Sequence, residues 1–240
     1  KRQKMLKNIR KYYSPNFDYL KRTKNKIKFI IIHYTGMKSE NDAIKRLTEI
    51  QSEVSSHYLI KYNGQILQLV PDLYVAWHAG KSMWGKNKLL NKSSIGIEIS
   101  NPGHMFSYPK FKTKQIKSLV NLLKKLKTKY KINPKNILSH SDIAPDRKKD
   151  PGEHFPWKML SKKQLSIWHN LEKKNILKMR NIFCDKKDVG KFLKNLTKIG
   201  YPKCKKLPLI KAFQMRFRPE LVNGKIDKEC LEISKSIEKI

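Results

Sequence analysis

The sequence predicts an α/β domain, in which a central mixed β-sheet is flanked by helices, followed by a small all-α domain of three helices. Strand-like and helix-like segments alternate between residues 27 and 168, which is typical of an α/β architecture. Three further helical stretches, joined by turns that contain Pro or Gly, lie near the carboxyl terminus. We therefore expect an extended basic lead-in over residues 1–26, the α/β domain over 27–175 and the helical domain over 182–240.

The first predicted strand is the apolar run "IKFIIIHYTG", which is rich in β-branched residues and ends at Gly36. A continuous run of this kind indicates a buried strand, and its end carries His33. Asn41 and Asp42 are expected to cap a helix over residues 43–50. In "HYLIKYNGQILQLV", an Asn-Gly pair separates two β-rich runs, which predicts a hairpin.

The stretch "SSIGIEIS" alternates isoleucines with Gly96, Glu98 and serines. A strand there would bury the isoleucines on one face and direct Glu98 to the other. Apolar residues at helical spacing then predict an amphipathic helix over Thr113–Tyr130. The segment "NILSH" follows as another short strand, and it ends on His140.

The helical domain is predicted from three segments, "DVGKFLKNLTKIGY", "LPLIKAFQMRFRP" and "IDKECLEISKSI". All three cysteines, Cys184, Cys204 and Cys230, lie in this region. None has the spacing of a metal site, and an odd number argues against a disulfide framework.

The chain is strongly basic, with 54 Lys and Arg against 19 Asp and Glu and a formal charge of +35. Such a charge favours an anionic partner, but the lysines are spread along the whole chain rather than gathered in one patch. No helix-turn-helix, zinc-finger or RNP-like pattern is present, so we expect no specific nucleic-acid partner. No apolar run approaches the roughly twenty residues of a membrane span, so we expect no transmembrane segment in this chain.

Two histidines at strand ends, His33 and His140, and an aspartate ten positions after the second suggest a metal site. Spacing alone favours ordinary surface histidines. The local sequence favours metal binding, because Asp150 precedes Pro151 and Gly152, which can hold its carboxylate in a tight turn. Two nitrogens, one oxygen and an open fourth position are typical of catalytic zinc.

Several motifs appear in a characteristic order: "IIIHYTG", "SSHYLIKYNGQILQLVP", "AWHAG", "SSIGIEISN" and "HSDIAPDRKKDPG". Together they resemble the zinc-dependent N-acetylmuramoyl-L-alanine amidases of the AmpD and AmiD type, which are relatives of peptidoglycan recognition proteins. The likeness covers about residues 14–168. The tail, with "IGYP", "IKAFQMRFRP" and "NGKID", is similar to the small peptidoglycan-binding domain of the AmiD branch.

The resemblance implies one Zn²⁺ per chain, held by His33, His140 and Asp150, with Glu98 and Lys148 as the catalytic pair. From the residues themselves, Glu98 can accept the proton of the attacking water. In an extended segment, Lys148 would project to the same side as Asp150 and could stabilise the oxyanion. Lys149 is the alternative to Lys148.

Four further residues are candidates for substrate binding, although His57 and His78 are equally consistent with hydrogen-bonded structural histidines. These candidates are His57, Trp77, His78 and Arg147.

The function implied by the resemblance is hydrolysis of the amide bond between N-acetylmuramic or anhydro-muramic acid and L-alanine, in peptidoglycan or muropeptides. The alternative is a non-catalytic peptidoglycan-recognition module. We expect a monomer in the bacterial envelope or periplasm, with cytoplasmic or secreted protein as the alternatives. The helical tail is expected to be dispensable for cutting soluble muropeptides.

Overall fold

A computed structural model of the chain describes residues 9–240, and within them two compact units. The first runs to Lys81 and resumes over Leu89–Ser139, and the second combines Ser82–Lys88 with His140–Ile240. The α/β fold with a helical carboxyl-terminal part is confirmed. The boundary between residues 175 and 182 stays a prediction. The compact units divide the chain elsewhere, at residues 81, 88 and 139.

Ten short strands form one large sheet and two small ones in the described residues. The strands are β1 (Ile9–Lys11), β2 (Phe17–Asp18), β3 (Phe29–Tyr34), β4 (Tyr58–Ile60), β5 (Ile66–Gln68), β6 (Val75–Ala76), β7 (Met83–Trp84), β8 (Asn87–Lys88), β9 (Ser94–Ile99) and β10 (Ile137–Ser139). The main sheet has the order β1-β5-β4-β9-β3-β10. Strands β4, β9, β3 and β10 are parallel, and β5 is antiparallel to β4, so the sheet is mixed as predicted.

Eight α-helices complete the described part of the chain. They are α1 (Glu40–Thr48), α2 (Thr113–Tyr130), α3 (His140–Ile143), α4 (Trp157–Ser161), α5 (Lys173–Lys178), α6 (Lys186–Ile199), α7 (Lys206–Phe217) and α8 (Lys228–Glu238). None of the helices in residues 9–240 is both long and apolar enough to cross a membrane.

The centre of the first unit is apolar because its parallel strands are covered on both faces. Ile30, Ile31 and Ile32 in β3 are fully buried, as are Ile95 and Ile97 in β9. Helix α2 has the predicted bounds and buries Leu119, Leu123 and Leu126 along one stripe. The hairpin at Asn63-Gly64 is also present, and Gly64 adopts the positive φ of 85° for which Asn-Gly turns are selected.

The predicted bounds of the first helix were wrong. Helix α1 begins at Glu40, three residues early, and ends at Thr48. Its N-cap is Ser39, whose hydroxyl accepts a hydrogen bond from the Asp42 backbone at 3.1 Å. Asn41 and Asp42 therefore lie inside the first turn. There the negative carboxylate of Asp42 interacts favourably with the positive end of the helix dipole.

The lead-in contributes more to the first unit than its sequence indicated. Residues 1–8 of the predicted lead-in lie outside the described residues. In the remainder, β1 adds a parallel edge strand next to β5. The side chain of Arg22 is buried and donates to the backbone oxygens of Asp72 and Asn91, both at 2.9 Å. The lead-in thus belongs to the core of the first unit.

The second unit contains the short hairpin of β7 and β8 and all helices from α3 onward. The three predicted tail helices are present as α6, α7 and α8. Phe192 and Phe213 meet in their core with ring centroids 5.1 Å apart. Arg218 is fully buried and pairs with Asp227 at 2.5 Å. Cys184 and Cys230 are buried free thiols, and Cys204 is a half-buried one.

Candidate active site

The carboxyl ends of three neighbouring parallel strands carry the first group of predicted site residues. In the register of β3 and β9, His33 lies directly beside Glu98. Partners in a parallel register point to the same face, so both side chains leave the sheet together. On the other side of β3, Ser139 pairs with Ile32 and ends β10, and His140 is the next residue along the chain. Carboxyl ends of parallel strands are where open α/β sheets place their ligands.

The three predicted metal ligands meet one another. One ligand atom from each of His33, His140 and Asp150 lies within 4.8 Å of the other two, and all three side chains are buried. Two imidazoles and one carboxylate are a donor set suited to zinc, and three protein ligands leave a fourth position for water or substrate. The residues therefore fit a catalytic rather than a structural zinc.

Backbone hydrogen bonds close the segment between His140 and Asp150 into a compact loop. The Ser141 amide donates to the Asp150 carbonyl at 3.0 Å, which brings the two ends of the segment together. Across this closure, His140 Nδ1 lies 3.0 Å from Asp150 Oδ2. The Asp150–Pro151 peptide is cis, and Gly152 has a φ of 78°. The Asp-Pro-Gly sequence thus forms the tight turn that its residues predict.

His33 is held by a chain of hydrogen bonds that runs through His78. Nε2 of His33 lies 3.1 Å from Nδ1 of His78, and Nε2 of His78 lies 3.2 Å from the Ser94 hydroxyl. Ser94 in turn donates to the Leu90 carbonyl at 2.6 Å. Because a carbonyl can only accept, the single Ser94 hydroxyl proton is used there, and Ser94 accepts from His78.

The direction of these hydrogen bonds assigns the tautomer of both histidines. His78 carries its proton on Nε2, so its Nδ1 accepts a hydrogen bond from Nε2–H of His33. The lone pair of His33 is then on Nδ1. Histidines that bind metals usually donate their other ring N–H to such a partner, which fixes the ring and raises its basicity. His78 therefore orients His33.

Gly96 provides the space for the His78 ring. A Cβ on Gly96 would lie 2.7 Å from Nδ1 of His78, which is closer than real Cβ atoms approach. We expect Gly96→Ala to displace His78 and to destabilise the fold by about 1–3 kcal/mol, the usual cost of overpacking. Gly190→Ala is the matched control, because a Cβ there meets nothing within 4 Å and Gly190 lies inside helix α6.

Denaturant unfolding of both glycine variants tests this. Alanine inside a helix should stabilise Gly190→Ala by about 0.5–1 kcal/mol. A Gly96→Ala protein as stable as the wild type would contradict the assignment of this space to His78.

Glu98 is half-buried at the end of β9, while Ile95, Ile97 and Ile99 on the opposite face are fully buried. The small residues Ser94 and Gly96 share the face of Glu98. This pattern of small residues was visible in "SSIGIEIS", although its purpose, to accommodate an imidazole ring, was not. His78 was a candidate for substrate binding or a structural role, and its contact with His33 was not predicted.

The two candidate lysines differ in exposure. Lys148 is half-buried and Lys149 is exposed. The backbone amides of Arg147 and Lys148 both donate to the Ala144 carbonyl, so residues 144–148 form a turn rather than the extended segment that we expected. The preference for Lys148 therefore depends on burial and not on alternation. Arg147 is exposed. Partial desolvation lowers the pKa of its guanidinium, and the nearby carboxylates of Asp146 and Asp150 oppose this shift.

His57 lies in the core of the first unit and is fully buried. Its Nδ1 accepts from the Gly96 amide at 3.0 Å, and its Nε2 lies 3.1 Å from the Tyr74 carbonyl. Burial, reinforced by the charge of Arg22, lowers the pKa of His57 to about 3, so the ring is neutral at pH 7. This placement favours the structural role that the sequence left open for His57.

Trp77 is half-buried, and its indole N–H donates to Asp18 at 2.7 Å. Its backbone amide donates to the Ser55 hydroxyl at 2.9 Å. The next two amides, of His78 and Ala79, donate to the side-chain oxygen of Asn91. The "AWHAG" segment is thus anchored through its backbone, and this anchoring fixes His78. No signal in the sequence indicated the part that Asn91 has here.

A cluster of aromatic residues adjoins the end of β3. The Tyr34 hydroxyl lies 2.9 Å from Nδ1 of His104, and the His104 ring stacks on Tyr108 with centroids 4.1 Å apart. These contacts place His104 among aromatic side chains.

A model of the N-acetylmuramoyl-L-alanine amidase family matches residues 23–153. Among individual proteins, the N-acetylmuramoyl-L-alanine amidase AmiD of Escherichia coli is 38% identical over 230 residues, which cover 88% of this chain and 82% of AmiD. The 1,6-anhydro-N-acetylmuramyl-L-alanine amidase AmpD of Escherichia coli is 39% identical over 104 residues, covering 43% of this chain and 55% of AmpD.

Two solved structures are similar over nearly the whole chain. Escherichia coli AmiD in complex with the substrate anhydro-N-acetylmuramic acid-L-Ala-D-gamma-Glu-L-Lys superposes with a TM-score of 0.79, at 34% identity and with 92% of each chain covered. AmpDh3 from Pseudomonas aeruginosa in complex with an anhydromuramic pentapeptide has a TM-score of 0.78 at 30% identity, covering 92% of this chain and 93% of that one.

Proposed function

Since this chain belongs to the N-acetylmuramoyl-L-alanine amidase family, we propose that it cuts the amide bond between muramic acid and L-alanine with one zinc ion. The observation that carries the proposal is the meeting of His33, His140 and Asp150 within 4.8 Å beside the strand that bears Glu98. A recognition module without catalysis would need neither the full ligand set nor the neighbouring carboxylate.

Zinc would be held by the imidazoles of His33 and His140 and the carboxylate of Asp150. When bound, zinc supplies Lewis acidity toward the scissile carbonyl and the attacking water. Nδ1 is the atom of His33 that offers a lone pair, because its Nε2–H is used toward His78. Burial of all three side chains limits competition from solvent for these ligands.

The chain's own residues would perform the proton transfers. Glu98 emerges beside His33 on the same face of the sheet, where its carboxylate can accept a proton from the attacking water and return it to the leaving amine. Lys148, half-buried in the loop that ends at Asp150, would place its ammonium near the negative charge that develops on the carbonyl oxygen. No covalent intermediate is needed.

The substrate we propose is a muropeptide or peptidoglycan strand. The solved relatives bind anhydro-muramyl peptides, and a sugar–peptide of that class is the natural first substrate to test. Peptidoglycan lies in the bacterial envelope, so we propose the envelope or periplasm as the place of action.

Product analysis tests the proposed reaction. We expect the full chain to convert a defined anhydro-muramyl tetrapeptide into the free sugar acid and the free peptide, with the gain of one water, as seen by mass spectrometry. A strong chelator should abolish product, and added zinc should restore it. The same protein should contain about one zinc per chain by elemental analysis.

Three outcomes would contradict the proposal. Binding of the muropeptide without release of peptide would indicate the recognition module. Cleavage at another bond would exclude the amidase assignment. Activity that survives complete removal of metal would exclude the proposed zinc chemistry.

A further inference from the structure

A buried carboxylate lies inside the loop that carries two of the proposed zinc ligands. Asp142 is in the short helix α3, two residues after His140, and is completely buried. Its Oδ1 accepts a hydrogen bond from the Tyr201 hydroxyl at 2.7 Å, and its Oδ2 forms an ion pair with Arg216. Both partners come from the helical tail of the second unit.

Arg216 also contacts the chain that follows this loop. Its guanidinium carbon lies 4.3 Å from the ring centroid of Trp157, the first residue of α4, which makes a cation–π contact. Arg216 is itself 2% exposed, so both interactions are shielded from solvent. A single guanidinium thus joins residue 142, near the start of the loop, to residue 157 at the start of α4.

These contacts are strong enough to matter for the loop. An unpaired carboxylate in a protein interior carries a large desolvation penalty, and removing one partner of a buried ion pair is strongly destabilising. Helix α3 has only four residues and cannot hold itself together without tertiary contacts. Its geometry therefore depends on what holds Asp142.

Tyr201 is fixed from the other side by the β7–β8 hairpin. The Trp84 and Tyr201 rings meet edge to face with centroids 5.0 Å apart, and the Gly85 amide donates to the Gly200 carbonyl at 2.7 Å. A Cβ on Gly200 would lie 2.6 Å from the Trp84 ring, so this position requires glycine. The phenol that binds Asp142 is held rigidly in place.

We propose that Arg216 and Tyr201 are positioning residues for the zinc site, acting through Asp142 on the segment that carries His140 and Asp150. The tail is then part of the catalytic machinery and not a dispensable module, contrary to the expectation from the sequence. This inference rests on the proposed zinc function. It concerns ligand geometry, so metal affinity reports on it independently of activity.

The test compares point variants of the full chain by chelator competition for zinc, far below each unfolding temperature. We expect Arg216→Met to weaken zinc binding by about tenfold or more, because the segment that carries His140 and Asp150 loses the ion pair that holds Asp142; loss of a group that contacts a ligand directly typically costs about 10–100-fold. Tyr201→Phe removes one hydrogen bond and keeps the ring, so we expect a smaller loss of about threefold or more. The absorption spectrum of the cobalt-substituted protein should change in Arg216→Met, because that spectrum reports ligand geometry.

Arg218→Met is the matched control. Arg218 is as buried as Arg216, but its carboxylate partners are Asp227 and Glu229, which both lie in the tail. We expect this variant to lose stability while its folded fraction binds zinc with the affinity of the wild type.

Two results would overturn the inference. One is wild-type zinc affinity in folded Arg216→Met; if that variant does not fold, wild-type affinity in Tyr201→Phe would have the same meaning. The other is an equal loss of affinity in Arg216→Met and Arg218→Met, which would reveal a general effect of stability. Failure of the wild type itself to bind zinc would instead reject the proposed function.

Discussion

Replacing Glu98 with glutamine is expected to lower turnover by two or more orders of magnitude while zinc content and melting temperature stay close to those of the wild type. Glutamine keeps the size and polarity of the side chain but cannot accept a proton. General acid–base catalysis typically contributes about 10²–10⁴-fold to a rate. Glu98 is half-buried and adjoins His33 without being one of the three proposed ligands, so the metal should remain bound.

Glu40→Gln is a suitable control for this variant. Glu40 is also half-buried and accepts a hydrogen bond, from the Tyr62 backbone, but it lies at the start of α1. We expect its turnover to stay within about threefold of the wild type, because it has no part in the proton transfers. Steady-state kinetics on a soluble muropeptide and zinc analysis of the same samples provide the measurement. Loss of zinc from Glu98→Gln, or a rate near that of the wild type, would exclude Glu98 as the base.

The second large effect is expected at Lys148. Lys148→Ala should lose about 10²–10³-fold in kcat, as does removal of one oxyanion-stabilising donor in other hydrolases. KM should change much less, because the interaction is strongest in the transition state. The fold should survive, since Lys148 is only half-buried.

The neighbouring lysine provides an internal comparison. Lys149 is exposed, and Lys149→Ala should retain most of the activity. The two variants have the same change in charge, so any general electrostatic effect on an anionic substrate is the same in both. A severe loss in Lys149→Ala with a mild one in Lys148→Ala would transfer the role to Lys149.

The central strands could be predicted because their signals are local. Continuous apolar runs are required where a parallel strand is covered on both faces, and the run before His33 could not be mistaken for an exposed segment. The Asp-Pro-Gly turn is likewise encoded by adjacent residues. Helix α2 was predicted to the residue because its apolar stripe repeats over eighteen positions.

The contacts that support the site could not be predicted, since they join residues far apart in the chain. Nothing near Arg22 indicates that it reaches Asn91, which holds the His78 backbone. Likewise, Arg216 sits in a tail segment that resembles a separate module, and its partner is Asp142. A buried ion pair of this kind becomes visible only when the fold brings the two charges together.

The short hairpin at Ser82–Lys88 belongs to the same compact unit as the last hundred residues, and this has a consequence for synthesis. A polypeptide emerges from the ribosome amino terminus first, at about 5–20 residues per second. A segment that packs against later residues can therefore fold only after those residues have been synthesised. The loop with His140 and Asp150 is complete well before Tyr201 and Arg216 have been made. If Arg216 positions the metal ligands as proposed, an unfinished polypeptide should bind zinc weakly, and we expect full amidase activity only once translation has passed residue 216.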